Sequence, residues 1–450
     1  MVPDNDRRAA PLSHVVLAAF PFGTHAAPLL ALARRLAAAA PVTTFSFLST
    51  ESSLSSLRRT ADIPSNLHLA TMPADQAAAP GEGEMRAFID AAAAGGVREG
   101  LKSVEAASSA PVTCLVTDAF LWMAAEVAAE VGVPWVPVWT AGPHSLSAHL
   151  NADLIRQTVG VCDDRVAFIP SLADYSIRDL PDDIVSGNVD SPISLLLHRM
   201  SHHLPNAAAI VVNAFHGLFP LNDAYLAAHF GNYLPLGPIH LLPQPSPNSQ
   251  PILDPENCLS WLDRHGPSTV AYVSFGTVTT PPPHELTSLA NGLEASGSPF
   301  LWSLRGKARE LLPQGFLDRT RGRGLVVGWA PQMEVLRHVA VGAFVSHCGW
   351  NSVVESITGA VPMVCRPFFG DQHMNARAVS EIWRIGLVVD GGALSEEGMV
   401  AALNLVLRRE EGKSMRERAR ELKAKAEHAV GAGGTSDENL SKLVKFVCGN

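Results

Sequence analysis

Cysteine is scarce in this chain. Cys114, Cys162, Cys258, Cys348, Cys365 and Cys448 are scattered and none stands in a C-x-x-C spacing. Neither a disulfide scaffold nor a zinc site is suggested, and a reducing compartment fits. Charge is also thin: 17% of residues are charged, the net charge is −9, and there is no long basic run. Nucleic acid and anionic membranes are poor partners for such a chain. Between Arg8 and Arg34 there is no Lys, Arg, Asp or Glu, so a signal peptide or membrane helix competes there. Pro21, Gly23, His25 and Pro28 cut that run into His14–Phe20 and Pro28–Ala40. The first piece is too short to span a bilayer and the second contains Arg34-Arg35, so neither reading is kept. No G-x-S-x-G elbow is present, which argues against a serine hydrolase.

What is abundant is apolar sequence, 47% of 450 residues, enough for two sizeable cores. Residues 1–12 are polar and read as a tail. Strands are expected at His14–Phe20, Thr43–Leu48, Val112–Val116, Trp135–Trp139 and Ala208–Asn213. Helices are expected at Pro28–Ala40, Glu84–Gly100, Phe120–Val131 and Ser191–Leu204, the last with Ser191 as N-cap before Pro192. Residues 73–84 and 163–190 read as irregular. Residues 241–256 carry five prolines and form the clearest linker. A second alternating series follows, with strands at Val270–Phe275, Pro299–Ser303, Gly324–Val327, Ala343–Val345, Pro362–Val364 and Gly386–Val389. Helices Glu410–Val430 and Glu438–Val447 close the chain. Alternation of this kind calls for α/β domains with parallel sheets, whose ligands sit beyond the carboxyl ends of the strands.

The most informative stretch runs from Trp329 to Gln372, WAPQMEVLRHVAVGAFVSHCGWNSVVESITGAVPMVCRPFFGDQ. Its centre reads as a strand ending at Ser346-His347, a turn over Cys348–Ser352, and a helix opening at Val353. A helix start offers unpaired N–H groups and a partial positive charge to a phosphate. Asn351, Ser352 and His347 add side-chain donors. Glu355 suits a vicinal diol, Trp329 the face of a base, and Asp371 with Gln372 further hydroxyls. Neighbouring residues on a strand point to opposite faces, so His347 and Cys348 make a poor nucleophilic or metal pair. In the first half, His25 follows the first strand and titrates near neutrality, as a general base must; capping the Pro28 helix is the competing role. Asp118 ends a strand at the same rim, and capping the helix after it competes with orienting His25.

The stretch from Trp329 to Gln372 closely resembles the nucleotide-sugar signature of plant family-one UDP-dependent glycosyltransferases. PFGTHAAPLLALARRLAAAAP, VWTAGPHSLSAH and SFGTVTTPPP extend the likeness over nearly the whole chain, towards flavonoid and anthocyanidin 3-O-glucosyltransferases. The resemblance implies a GT-B fold, two Rossmann-like domains facing across a cleft. The division expected is residues 1–240 for the acceptor, the 241–256 linker, 257–430 for the UDP-sugar, and 431–450 crossing back. It implies that His25 takes the proton from the acceptor hydroxyl and Asp118 steadies it. On the donor side it implies Thr140, Ser274, Thr277, Ala330 through its backbone, Gln332 and Trp350, besides Trp329, His347, Asn351, Ser352, Glu355, Asp371 and Gln372. A Gln at position 372 accompanies glucose in the family. Asp-x-Asp, the mark of metal-dependent glycosyl transfer, occurs only at Asp4-x-Asp6, so no metal and no other cofactor is expected.

The acceptor side is less determined. Phe120, Trp139, His149 and Phe369 are candidates for a flat polyphenol pocket. Glu82 stands where the flavonoid enzymes have a Gln, and Gly23 where they have a Ser. The expectation is an inverting, cytoplasmic, monomeric enzyme that moves glucose from UDP-glucose to a flavonoid hydroxyl, at the 3-position of a flavonol or anthocyanidin. Alternatives are another phenolic acceptor, C-glycosylation, and a phenolic-binding protein without catalysis. A glycosidase would need paired carboxylates across one bond; Asp118 and Asp371 are the nominees, and the Trp329–Gln372 stretch has no part in that chemistry.

Overall fold

The computed structural model describes residues 13–22, 24–58, 62–72, 82–108, 110–158, 165–185, 191–243 and 253–449. The first sheet holds β1 (His14–Ala18), β2 (Thr44–Ser49), β3 (Leu67–Thr71), β4 (Cys114–Asp118), β5 (Trp135–Trp139), β6 (Ile210–Val212) and β7 (Tyr233–Pro235). The second holds β8 (Val270–Ser274), β9 (Phe300–Ser303), β10 (Gly324–Val327), β11 (Val341–Ser346), β12 (Met363–Cys365) and β13 (Gly386–Val388). Every pairing among these strands is parallel. The central strands β1, β4, β5, β8 and β11 are buried along their whole length, which is why they read as unbroken apolar runs rather than alternating ones.

The strand order is β3-β2-β1-β4-β5-β6-β7 in one sheet and β10-β9-β8-β11-β12-β13 in the other. In each, the winding reverses beside the first strand: between β1 and β4, and between β8 and β11. Crossovers diverge to opposite faces at such a point and leave a crevice beyond the strand ends. This is the doubly wound, two-sheet α/β architecture the alternation called for.

Helix Ala26–Ala39 buries Ala26, Leu29, Leu30, Ala33, Leu36 and Ala37 against the first sheet, an i, i+3, i+4, i+7 stripe. The last helix, Thr435–Cys448, packs Leu440, Leu443 and Val447 into the same core. Ser436 Oγ donates to the Gly237 carbonyl (2.7 Å) and Asn439 Nδ2 to that of Pro235 (2.9 Å), so the chain's end is fastened to the first sheet's edge.

Several expectations are corrected. Glu84–Gly100 is not one helix: Glu82–Ala91 gives way to a wide turn at Ala92–Gly96, then Val97–Ser108. Gly95, at φ +133°, breaks it, a conformation a side chain would resist. The helix expected from Phe120 begins at Met123, and the one expected from Val353 begins at Trp350, with Gly349 as N-cap. Trp350, Asn351 and Ser352 are therefore first-turn residues rather than turn residues. Strands β3 and β7 were not foreseen; they are the two edges of the first sheet. Residues 1–12, 73–81 and 244–252, in which the tail and much of the expected loop and linker fall, lie outside the described residues.

Candidate active site

His25 and Asp118 reach the rim from the two strands that flank the first reversal. His25 Nδ1 lies 2.8 Å from Asp118 Oδ2. Asp118 Oδ1 accepts the Phe120 N–H at 2.9 Å. One carboxylate thus serves both roles weighed from sequence, pinned by the backbone on one oxygen and holding the imidazole with the other. The capping role for His25 does not hold: it occupies the N-cap position of helix Ala26–Ala39 but makes no side-chain cap bond. Thr140, just past β5, places Oγ1 3.0 Å from the same Nδ1. Two acceptors on Nδ1 fix the proton there and leave the Nε2 lone pair free to act as a base. Burial opposes the charged ring, yet Asp118 and, behind it, Asp371 hold the His25 pKa above its ordinary value. Asp371 belongs to the second lobe, so the imidazole is within its electrostatic reach across the crevice.

The second lobe presents its own reversal point. Ser274 ends β8 in register with Ser346, which ends β11. Helix Trp350–Gly359 then starts without a side-chain cap and without an acidic residue in its first turn. Its leading N–H groups are available to an anion. The ring of His347 fits over Gly276 and Gly349. A Cβ on Gly276 would meet His347 Cε1 at 2.8 Å, and one on Gly349 would meet Nε2 at 2.5 Å. Burial drives the His347 pKa down to about 4, and its buried Nδ1 has no partner among the described residues. From the sequence, His347 is expected as a side-chain donor to a phosphate. Its ring is neutral and offers a single N–H.

Around the helix start, Gln332 donates to Glu355 Oε2 (2.7 Å) and Ser352 Oγ (3.2 Å), and accepts from Tyr272 OH (3.1 Å). Burial raises the Glu355 pKa to about 7, against the lowering bond from Gln332. The half-buried Trp329 and buried Ala330 stand on the loop after β10. Glu256 holds that loop by accepting from Gly328 N (2.7 Å) and Trp329 N (3.2 Å). Gln372 Oε1 accepts the N–H groups of Phe368 and Phe369 (2.9 and 3.3 Å), which leaves its NH2 outward as a donor. Asp371 accepts from Asn375 (3.0 Å), and burial raises its pKa to about 6. Ser274 is buried and Thr277 exposed.

Not every expected donor is free. Asn351 Nδ2 donates to Thr24 Oγ1 (2.9 Å) and to the Thr24 carbonyl (3.2 Å), across the lobes and next to His25. Trp350 Nε1 donates to the Asn213 carbonyl at 2.7 Å. Its indole is thus engaged in holding the lobes together, in contact with His144 and Phe219. His144 Nε2 donates to Asn375 Oδ1 at 2.8 Å. Burial pushes the His144 pKa down to about 3, so the ring is neutral. Asn375 also donates to the Cys348 carbonyl (2.9 Å), and so ties Asp371, the turn at Cys348 and the first lobe together. Sequence reasoning missed Thr24, His144, Asn213, Glu256 and Asn375. Apart from the Asn375–Asp371 bond, four residues apart, the partners named for them lie far away in the chain.

Beside His25 runs a wall of rings. Phe120 lies 4.6 Å from His25 and 6.1 Å from Trp139, and Trp139 lies 5.8 Å from His149, centroid to centroid. Phe20, Phe22 and Phe88 extend it, with centroid separations of 5.3 to 5.8 Å; these three were not foreseen. The buried His149 faces Asp183 at 3.8 Å. Phe369 is 48% exposed, on the second lobe after β12. Gly23 and the Glu82 side chain lie outside the described residues.

The chain matches the model of the UDP-glucoronosyl and UDP-glucosyl transferase family over residues 47–422. It is 48% identical to an anthocyanidin 3-O-glucosyltransferase of Zea mays, over 98% of this chain and 99% of that one. It is 45% identical to a flavonol 3-O-glucosyltransferase of Arabidopsis thaliana, over 97% of both. Among solved structures, a UDP-glucose: anthocyanidin 3-O-glucosyltransferase in complex with UDP superposes with a TM-score of 0.92 at 38% identity, over 97% of this chain and 99% of that one.

Proposed function

Because the chain belongs to the family of UDP-glucuronosyl- and UDP-glucosyltransferases, we propose that it moves glucose from UDP-glucose to the 3-hydroxyl of a flavonol or anthocyanidin, with inversion. The observation that carries this reading is the His25–Asp118 pair at 2.8 Å, set beside an aromatic wall and facing the open N-terminus of helix Trp350–Gly359. His25 Nε2 takes the acceptor O–H proton while the oxygen attacks the anomeric carbon. The bond from that carbon to the diphosphate oxygen breaks, and UDP leaves with the electron pair. Asp118 stabilises the imidazolium. The helix start, Ser352 and His347 receive the diphosphate, Asn351 being released from Thr24 to join them. Glu355 and Gln332 hold the ribose, Trp329 stacks on uracil with Ala330 pairing its edge, and Asp371, Gln372 and Thr140 grip the sugar.

The whole constellation comes from one chain, so a monomer suffices, and no step is routed through a metal. No helix among the described residues is long and apolar enough to cross a membrane, and we place the enzyme in the cytoplasm. We divide the chain as read from the sequence, with residues 1–240 carrying the acceptor site and 257–430 the donor site.

Incubation with UDP-glucose and quercetin tests the proposal. The expected product is the 3-O-glucoside. An acid-stable C-glycoside would replace the bond assignment, and binding without turnover would refute catalysis.

A further inference from the structure

Outside that constellation, three metal-binding side chains converge on the first lobe. His198 and His202 are one turn apart on helix Pro192–His203, with ring centroids 4.5 Å apart. Asp153, on helix Ala152–Thr158, faces both: Oδ1 is 3.8 Å from His198 Nδ1 and Oδ2 is 3.4 Å from His202 Nε2. One ligand atom from each residue can be chosen so that all lie within 4.8 Å of one another. A tetrahedral ion with bonds of about 2.0–2.2 Å sets neighbouring ligand atoms about 3.3–3.6 Å apart. Small side-chain rotations would close the observed triangle to that size.

We infer that Asp153, His198 and His202 form a site for a divalent late first-row metal ion such as Zn2+, which joins the two helices. Two imidazoles and one carboxylate favour such ions over Mg2+ or Ca2+, which prefer all-oxygen shells. The side chains are 53%, 37% and 56% exposed in that order, which gives an ion an entry path and a water a fourth position. Burial, with His202 and Arg156 nearby, lowers the His198 pKa although Asp153 opposes this. Arg156 is the opposing group, with Nη1 3.5 Å from His198 Nδ1 and 3.7 Å from Asp153 Oδ1. Its Nε and Nη2 are anchored on the carbonyls of Ile184 (3.2 Å) and Asp183 (2.7 Å), so only Nη1 has to swing aside. Asp183 is also the carboxylate that faces His149, which puts the joined helices next to the aromatic wall. The ion is structural, and the inference does not depend on the proposed glucosyl transfer.

The test is metal binding by the full chain near pH 7.5, with Zn2+ in competition with a chromophoric chelator and Co2+ followed by its visible absorption. The unmodified protein should take up one ion at this site and melt at a higher temperature with Zn2+ present. His202→Asn and Asp153→Asn, both at exposed positions, should each weaken that binding at least about tenfold, since even groups behind the ligands commonly matter that much. Both variants should also lose the Zn2+-dependent rise in melting temperature. No binding by the unmodified chain, or equal affinity and stoichiometry in all three proteins, would overturn the assignment.

Discussion

Asp118→Asn isolates the chemistry of the His25 pair. The change is isosteric and adds no bulk at a position that is 1% exposed. The Phe120 N–H, fixed by the backbone 2.9 Å from Oδ1, requires an oxygen on that side. The new amide must therefore turn its NH2 towards His25 Nδ1. Two donors cannot face each other, so Nδ1 becomes an acceptor and the ring proton moves to Nε2. The nitrogen that has to take the acceptor's proton is then already protonated. General-base assistance is worth about 10²–10⁴-fold, so kcat should fall within that range, about 3–5 kcal/mol of barrier at 1.36 kcal/mol per tenfold. Asp118→Ala should lose less than Asn, because Thr140 Oγ1 at 3.0 Å can still accept from Nδ1–H. The pH profile supplies a second readout. His25 must be neutral to act, and its pKa is raised in the native protein, so kcat/KM should fall on the acid side from a point above the ordinary histidine value. Without the carboxylate only burial and Asp371 remain, and that limb should move to lower pH. The assay is steady-state turnover of UDP-glucose and quercetin between about pH 5 and 9, with UDP affinity measured by calorimetry as a control for the donor side. An Asn variant within tenfold of the native enzyme, with an unmoved acid limb, would refute the tautomer argument.

Other consequences are as direct. His25→Ala should lose about 10²–10⁴-fold in turnover while UDP binds as before; retained turnover would remove the general base. Glu355, whose pKa burial raises to about 7, accepts hydrogen bonds from the ribose best as a carboxylate. UDP-glucose affinity should therefore strengthen as pH rises from 6 to 8, and calorimetry on Glu355→Gln should show that step gone. Gly276→Ala places a Cβ 2.8 Å from His347 Cε1 at a backbone φ of +75°. It should raise the KM for UDP-glucose by displacing the ring, and a native KM would show that the ring does not need that space. Gln372→His replaces an amide whose oxygen is held by two backbone N–H groups. The ratio of kcat/KM for UDP-glucose to that for UDP-galactose should fall, and an unchanged ratio would mean the epimer is read elsewhere.

The fold was legible where burial is two-sided. Strand β5 and helix Glu410–Val430 run as their apolar and charge patterns indicate, because a fully buried strand reads as an unbroken apolar run and a long amphipathic helix as a periodic one. Ser191 could be recognised as a cap from its place before Pro192, and it does accept the Ser194 N–H. The kink at Gly95 and the edge strands β3 and β7 were not legible, since their conformations follow from what packs against them. At the site, residue types were readable but their commitments were not. Asn351 reads as a phosphate donor, yet its NH2 is spent on Thr24, 327 residues away. His347 reads as a side-chain donor, and burial between glycine backbones keeps its ring neutral. Hydrogen-bond partners and desolvation are properties of the assembled lobes, and short-range spacing carries no record of them.

The fastening of the final helix to the first sheet bears on how relatives of this enzyme can be recombined. A hybrid spliced between residues 241 and 256 inherits its tail from the second parent, yet that tail docks on the first parent's framework through Ser436, Asn439, Leu440 and Leu443. Exchange of specificity between two such transferases is therefore a three-segment graft. Hybrids that return residues 435–448 to the parent of the first sheet should outlast those cut once.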